Sequence, residues 1–164
     1  MRLVVADTSP VSYLLLLDHI DILPRLFGKV FVPDAVHKEL FHSTAPTNVR
    51  EWAARVPDWV EVMPVEAVDD PALLSLGAGE RAAIALALSL PVDLILIDER
   101  KGTTAALSKG LDVTGTLGVL DLAARRGLGD LADAWARLKR TNFRYRQELF
   151  DALLRKQKDE GGQS

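Results

Sequence analysis

Five short apolar runs read as strands, and each is followed by a polar turn or by a segment with helical spacing. Leu3–Ala6 is a continuous, Val-rich run, the pattern of a strand covered on both faces. Ser9 is a natural N-cap and Pro10 a natural first helical residue. The spacing therefore predicts a helix over "SPVSYLLLLDHIDILPRLF", broken or restarted at Pro24. "GKVFVP" is a second strand closed by Pro33, and Asp34 is expected to cap a helix over "AVHKELFHS". A further helix over residues 49–55 is expected to turn Trp52 and Val56 inward. "DWVEVMPV" alternates as a half-buried edge strand does. After the turn-like "VDDP" comes "GAGERAAIALALSL", an Ala/Leu helix preceded by glycine.

"VDLILID" is the clearest central strand, and like the first it ends in an acid, Asp98. "RKGTTAALSKG" is a helix stopped by Gly110, where a left-handed cap is favourable. "LDVTG" is a short strand, Thr116 a candidate N-cap, and "LGVLDLAARRG" a helix ended by Gly127. "LADAWARLKR" and "YRQELFDALLRKQK" complete the helices. Strands alternating with helices predict an α/β domain with a parallel sheet and right-handed crossovers. Nothing marks a linker or a repeat, so residues 1–158 are expected to form one domain, with 159–164 as a frayed tail.

Composition narrows the chemistry. The 164 residues are 48% apolar and 26% charged, an ordinary globular balance, and include no cysteine. Disulfides and thiolate metal sites are therefore excluded. No charged leader precedes the first apolar run, and no apolar stretch approaches the roughly 20 residues of a membrane span. A cytoplasmic, soluble protein is the expectation. The net charge of −3 hides an asymmetry. Residues 1–121 carry 10 basic against 17 acidic side chains, and residues 122–158 carry 10 against 4. The basic third could meet a polyanion or an acidic partner, or be a solvated helix face. The greasy run "YLLLLDHIDIL" is read as core, with a dimer surface as the competing reading.

In an open parallel sheet, sites form outside the carboxyl ends of the strands, where Asp7 and Asp98 are expected. Taken singly, both have local explanations as turn residues. Glu39, on the helix after the second strand, could simply be solvated. Glu80, in the first turn of its helix, complements the macrodipole. Together the four acids would converge on one edge. Converging carboxylates repel unless protonated or bridged by a cation. An all-oxygen donor set selects Mg²⁺ or Mn²⁺ over zinc. His19, His37 and His42 are scattered and are read as surface or packing residues.

The blocks "VVADTSP", "VPDAVHKEL", "GAGERAAIALAL", "LILIDERKG" and "GLDVTGTLGVL", in that order, resemble those of the PIN-domain nucleases. The likeness is to a prokaryotic PIN-like branch related to VapC-type toxins, and it runs from Leu3 to about Leu154. It implies a three-layer α/β/α fold with a mostly parallel central sheet. The implied activity is metal-dependent hydrolysis of RNA, with one or two Mg²⁺ or Mn²⁺ ions. It implies catalytic roles for Asp7, Glu39, Glu80 and Asp98, with Asp7, Asp98 and Glu80 holding metal and Glu39 acting through water. Ser9, Arg100, Lys101 and Thr116 are the candidate substrate contacts, and Thr8 could bond Asp7 or a phosphate. A cognate antitoxin and a homodimer are further implications. The fourth block reads "IDERKGTT" rather than the Thr-x-Asp of many such toxins, so Asp98 and Glu99 stay alternative ligands. Thr103 stands where an arginine is expected.

Other acid-dependent folds fit less well. A dehalogenase-type phosphatase needs a second Asp two residues after Asp7, where this chain has Ser9. A receiver domain needs adjacent acids at the first strand end, which "VVADTSP" lacks. The remaining rival is a PIN-like binding or scaffold protein without turnover.

Overall fold

A computed structural model describes residues 2–66, 69–143 and 155. The helix expected over residues 145–158 and the 159–164 tail lie outside the described residues, apart from the helical Arg155. The chain forms two compact units, residues 1–116 and 117–164.

The first unit holds strands β1 (Leu3–Ala6), β2 (Lys29–Pro33), β3 (Val60–Met63), β4 (Leu94–Leu96) and β5 (Val113–Thr114). All pairings are parallel, in the order β3-β2-β1-β4-β5. Its helices are α1 (Thr8–Leu16), α2 (Ile22–Leu26), α3 (Asp34–Leu40), α4 (Thr47–Ala54), α5 (Ala78–Ser89) and α6 (Arg100–Ser108). The chain steps outward from β1 to β2 to β3, then jumps back over β1 to β4 and β5. With right-handed crossovers, that reversal puts α1–α4 on one face and α5 and α6 on the other. The result is a three-layer α/β/α fold whose switch point lies between β1 and β4.

Both sheet faces are buried, which is why the strands read as continuous apolar runs. Val5 and Ile95 pack with Ala83, Ile84 and Ala87 of α5 and Ala106 of α6. Val4, Ala6, Leu94 and Leu96 alternate to the opposite face and are buried as well. The run "YLLLLDHIDIL" is core: Leu14, Leu17, Ile20, Ile22 and Leu23 are buried, and Leu16 alone among its large apolar residues is clearly exposed.

Several local boundaries differ from expectation. Helix α1 starts at Thr8 with Asp7 in the cap position, so Pro10 is its third residue. The N–H groups of a first turn have no intrahelical partner, so proline is tolerated throughout that turn and does not fix the start. The break before Pro24 comes at Asp18, whose φ of 60° lies in the left-handed region, and Pro24 then sits inside α2. Pro33 occupies the cap position of α3, with Asp34 as its first residue. In α4 the inward pair is Val49 and Ala53. Trp52, expected inward, is half-buried against Trp59 (centroids 6.2 Å apart), and Val56 is half-buried too. Helix α6 ends as expected: Gly110 has φ 84°, and the Leu111 N–H reaches back to the Ala106 carbonyl at 3.1 Å.

The second unit holds most of α7 (Thr116–Arg125), whose first residue is Thr116 itself, and α8 (Leu131–Leu138). Asp130 caps α8, its Oδ1 accepting from the N–H groups of Ala132 and Asp133 at 2.8 and 3.3 Å. Part of the basic surplus is spent locally: Arg125 pairs with Asp121 at 3.1 Å and Arg137 with Asp133 at 3.4 Å. Among the described residues, no helix is long and apolar enough to cross a membrane.

Candidate active site

The site is assembled at the carboxyl ends of β1 and β4, beside the switch point. The ladder carries one residue past β1, where the Asp7 N–H donates to the Leu96 carbonyl at 2.9 Å. That bond fixes Asp7 next to the strand end that leads into Asp98. Asp7 is only 5% exposed, and although it occupies the cap position its side chain makes no capping bond. Burial, reinforced by the negative charge of Glu39, Asp98 and Glu99, lifts its carboxyl from 3.8 to about 7. The backbone N–H of Thr8 works in the opposite sense.

Asp98 is held by one residue through two donors. The Thr116 N–H reaches Oδ1 at 2.7 Å, and the Thr116 hydroxyl reaches Oδ2 at 2.6 Å. Burial raises the Asp98 carboxyl, and these two bonds oppose the rise.

Glu39, on α3, links three helices. The Thr8 hydroxyl of α1 donates to Oε2, and the Gly79 N–H of α5 donates to Oε1 at 3.2 Å. A Cβ at position 79 would stand 2.7 Å from Oε1, so glycine is what allows the close approach.

Glu80 sits in the first turn of α5. Burial, then the adjacent Glu99, then Asp7 and Glu39 push its carboxyl from 4.5 up to about 8. Its Oε2 is buried without a hydrogen-bond partner and faces Gly102, where a Cβ would lie 3.1 Å away. Glu99, in the cap position of α6, is exposed. The two alternative acids thus occupy different places: Asp98 is bound to Thr116, and Glu99 adjoins Glu80.

Arg100 and Lys101 are exposed in the first turn of α6, and Ser9 is half-buried in the first turn of α1. Thr116 is fully buried. The histidines stand apart from the acids in their bonding: His37 Nε2 meets the Ala53 carbonyl at 2.8 Å, tying α3 to α4, and His42 bonds Thr44. Sequence reasoning missed Gly79, Gly102 and Gly115, which line Glu39, Glu80 and Asp98. The only available signal was their placement beside the acidic blocks, in "GAGE", "ERKG" and "TGT".

As the side chains lie, no three acids or histidines among the described residues stand close enough to hold one ion. The donor chemistry nevertheless fits a hard divalent cation. Every candidate donor is a carboxylate oxygen, and although the Glu80 carboxyl also interacts with Glu99, its Oε2 is buried without a hydrogen-bond partner.

A parallel α/β sheet with carboxylates at the ends of the strands flanking its switch point defines a class of domain that handles its ligand at that edge. A family model described as a PIN domain matches residues 3–159, and the chain belongs to the PIN-domain family. Its fold is therefore of nuclease type, from a family that binds nucleic acid and typically depends on divalent metal ions. A comparison with curated proteins returns no match.

Proposed function

We propose that this PIN domain is a Mg²⁺- or Mn²⁺-dependent ribonuclease that hydrolyses RNA phosphodiester bonds at the Asp7–Glu39–Glu80–Asp98 site. The observation that carries the reading is the set of carboxyls gathered beside the switch point, with Asp7 buried, Glu80 and Asp98 half-buried and Glu39 exposed, and with Glu80 Oε2 left without a hydrogen-bond partner. Among the described residues, no ion pair is formed to any of these four carboxyls.

Asp7, Asp98 and Glu80 would hold the ion. When bound, it would supply charge neutralisation at the phosphate and make water a better nucleophile. Glu39, fastened by Thr8 and Gly79, would orient water at the edge of the site. Arg100 and Lys101 lie where the dipole of α6 disfavours positive charge, so local stability does not account for them. They are suited to bind backbone phosphates, the usual source of sequence-independent affinity. Ser9 offers a hydroxyl to the same backbone.

On this reading the protein is a VapC-like toxin of the cytoplasm, acting as a homodimer and neutralised by a small cognate antitoxin. The sequence resemblance supports this assignment, and the span of the family match supports taking residues 1–158 as one functional domain.

The test is cleavage of RNA by the wild type and by Asp7→Asn, with Mg²⁺, with Mn²⁺ and with chelator. The wild type is expected to cut only with metal, and the variant not at all. If the wild type cuts with neither ion, or the variant cuts equally well, the nuclease assignment fails and the domain is a binding or scaffold protein. Unaffected growth on induction would remove the toxin role alone.

A further inference from the structure

We infer that the Gly115–Thr116 step is the positioning device for Asp98, so that Thr116 acts through that carboxylate and does not touch substrate. The inference rests on the metal-dependent site proposed above and assigns how one of its ligands is aimed.

Register brings the parts together. The Ile97 N–H donates to the Thr114 carbonyl at 2.9 Å, so the residues following β4 and β5 run side by side. Asp98 therefore lies opposite Gly115 and Thr116. Thr116 is 0% exposed, which removes it from direct reach of a polymer arriving from solvent. Its N–H and its hydroxyl go to the two different oxygens of one carboxylate, at 2.7 and 2.6 Å. Two donors from one residue fix both the position and the rotation of the Asp98 carboxylate. Each oxygen keeps a lone pair free for another partner.

Gly115 closes the other side. A Cβ there would stand 2.6 Å from Asp98 Oδ1 and 3.3 Å from the Ile97 carbonyl oxygen. With only two side-chain torsions, Asp98 has little means of stepping aside while keeping both bonds. The step thus combines a double donor with the absence of a side chain, and each part constrains the same carboxylate.

Three variants test this: Thr116→Val, Thr116→Ser and Gly115→Ala. The readouts are Mn²⁺ affinity by calorimetry, affinity for a short single-stranded RNA in chelator, and kcat and KM for RNA cleavage. Loss of a residue that orients a metal ligand costs about 10- to 100-fold in metal affinity. That loss and a fall in kcat are expected for Thr116→Val and Gly115→Ala, with RNA affinity and KM unchanged. Thr116→Ser, which keeps both donors, is expected to behave as wild type. Weaker RNA binding with unchanged Mn²⁺ affinity in Thr116→Val would overturn the inference in favour of a substrate contact, and a Ser variant as impaired as the Val one would also overturn it. If the wild type binds no Mn²⁺, the metal reading fails separately. Crystal structures of the metal-free variants then decide the positioning role: Asp98 turned out of its wild-type rotamer supports it, and an unmoved Asp98 refutes it. Gly115→Ala supplies the answer should Thr116→Val fail to fold.

Discussion

Replacing Asp7 with asparagine is expected to make the metal-free protein more stable at alkaline pH while abolishing RNA cleavage. In the unfolded chain this carboxyl gives up its proton near its ordinary 3.8, whereas in the fold it holds on until about 7. Between those values the folded state binds more protons than the unfolded one, so stability falls as pH rises. At about 1.4 kcal/mol for each pH unit, the interval amounts to roughly 4 kcal/mol. Below pH 4 both states are protonated and the penalty vanishes; above pH 7 it is complete. Asparagine resembles the protonated acid in shape and never ionises, so it escapes the penalty. For a chain of this size, 1 kcal/mol moves the melting temperature by about 2 to 4 °C. Asp7→Asn is therefore expected to melt roughly 10 °C above wild type at pH 8 and level with it near pH 4. Thermal melts across that range, in chelator, make the comparison. Added Mn²⁺ is expected to narrow the gap by stabilising only the wild type. Parallel melting curves for the two proteins from pH 4 to pH 8 would refute the argument, because Asp7 would then ionise as easily folded as unfolded.

Thr8→Val removes the hydroxyl that ties α1 to Glu39. It is expected to cost about 0.5 to 1.5 kcal/mol in denaturant melts and to lower cleavage, with Thr8→Ser close to wild type. Gly79→Ala would bring a Cβ to 2.7 Å from Glu39 Oε1. Cleavage is expected to fall while stability changes little, since alanine favours the helix by about 0.5 to 1 kcal/mol; undiminished activity would show that Glu39 is not held where the site needs it. Asp130→Ala deletes the cap of α8 and is expected to cost about 1 kcal/mol. Its cleavage rate is expected to stay unchanged, since none of the site's hydrogen bonds runs through Asp130.

Much of the layout was open to sequence reasoning because it is written in local terms. The five strands, the acids at the ends of β1 and β4, and the glycine stop at Gly110 follow from apolar runs, turn chemistry and backbone freedom within a few residues. Even where a local rule misplaced a boundary, as at Ser9–Pro10, the error was only two residues, because Pro10 fits any position of the first turn. The inward face of α4 was misjudged for a different reason. Trp52 and Val49 are both apolar, and only the packing decides which of them faces the core.

By itself the sequence determined an alternating α/β chain with oxygen donors and no cysteine, and so the kind of chemistry open to it. Tertiary structure decided what each acid is doing. Glu39 meets a hydroxyl 31 residues away and an N–H 40 residues away, and Asp98 meets Thr116 across 18. Such bonds depend on strand register and crossover hand, which no local pattern encodes. The same holds for the proton affinities of Asp7 and Glu80. They arise from burial and from the charge of neighbouring carboxylates, and both exist only once β1, α3, α5 and β4 have been brought to a common edge.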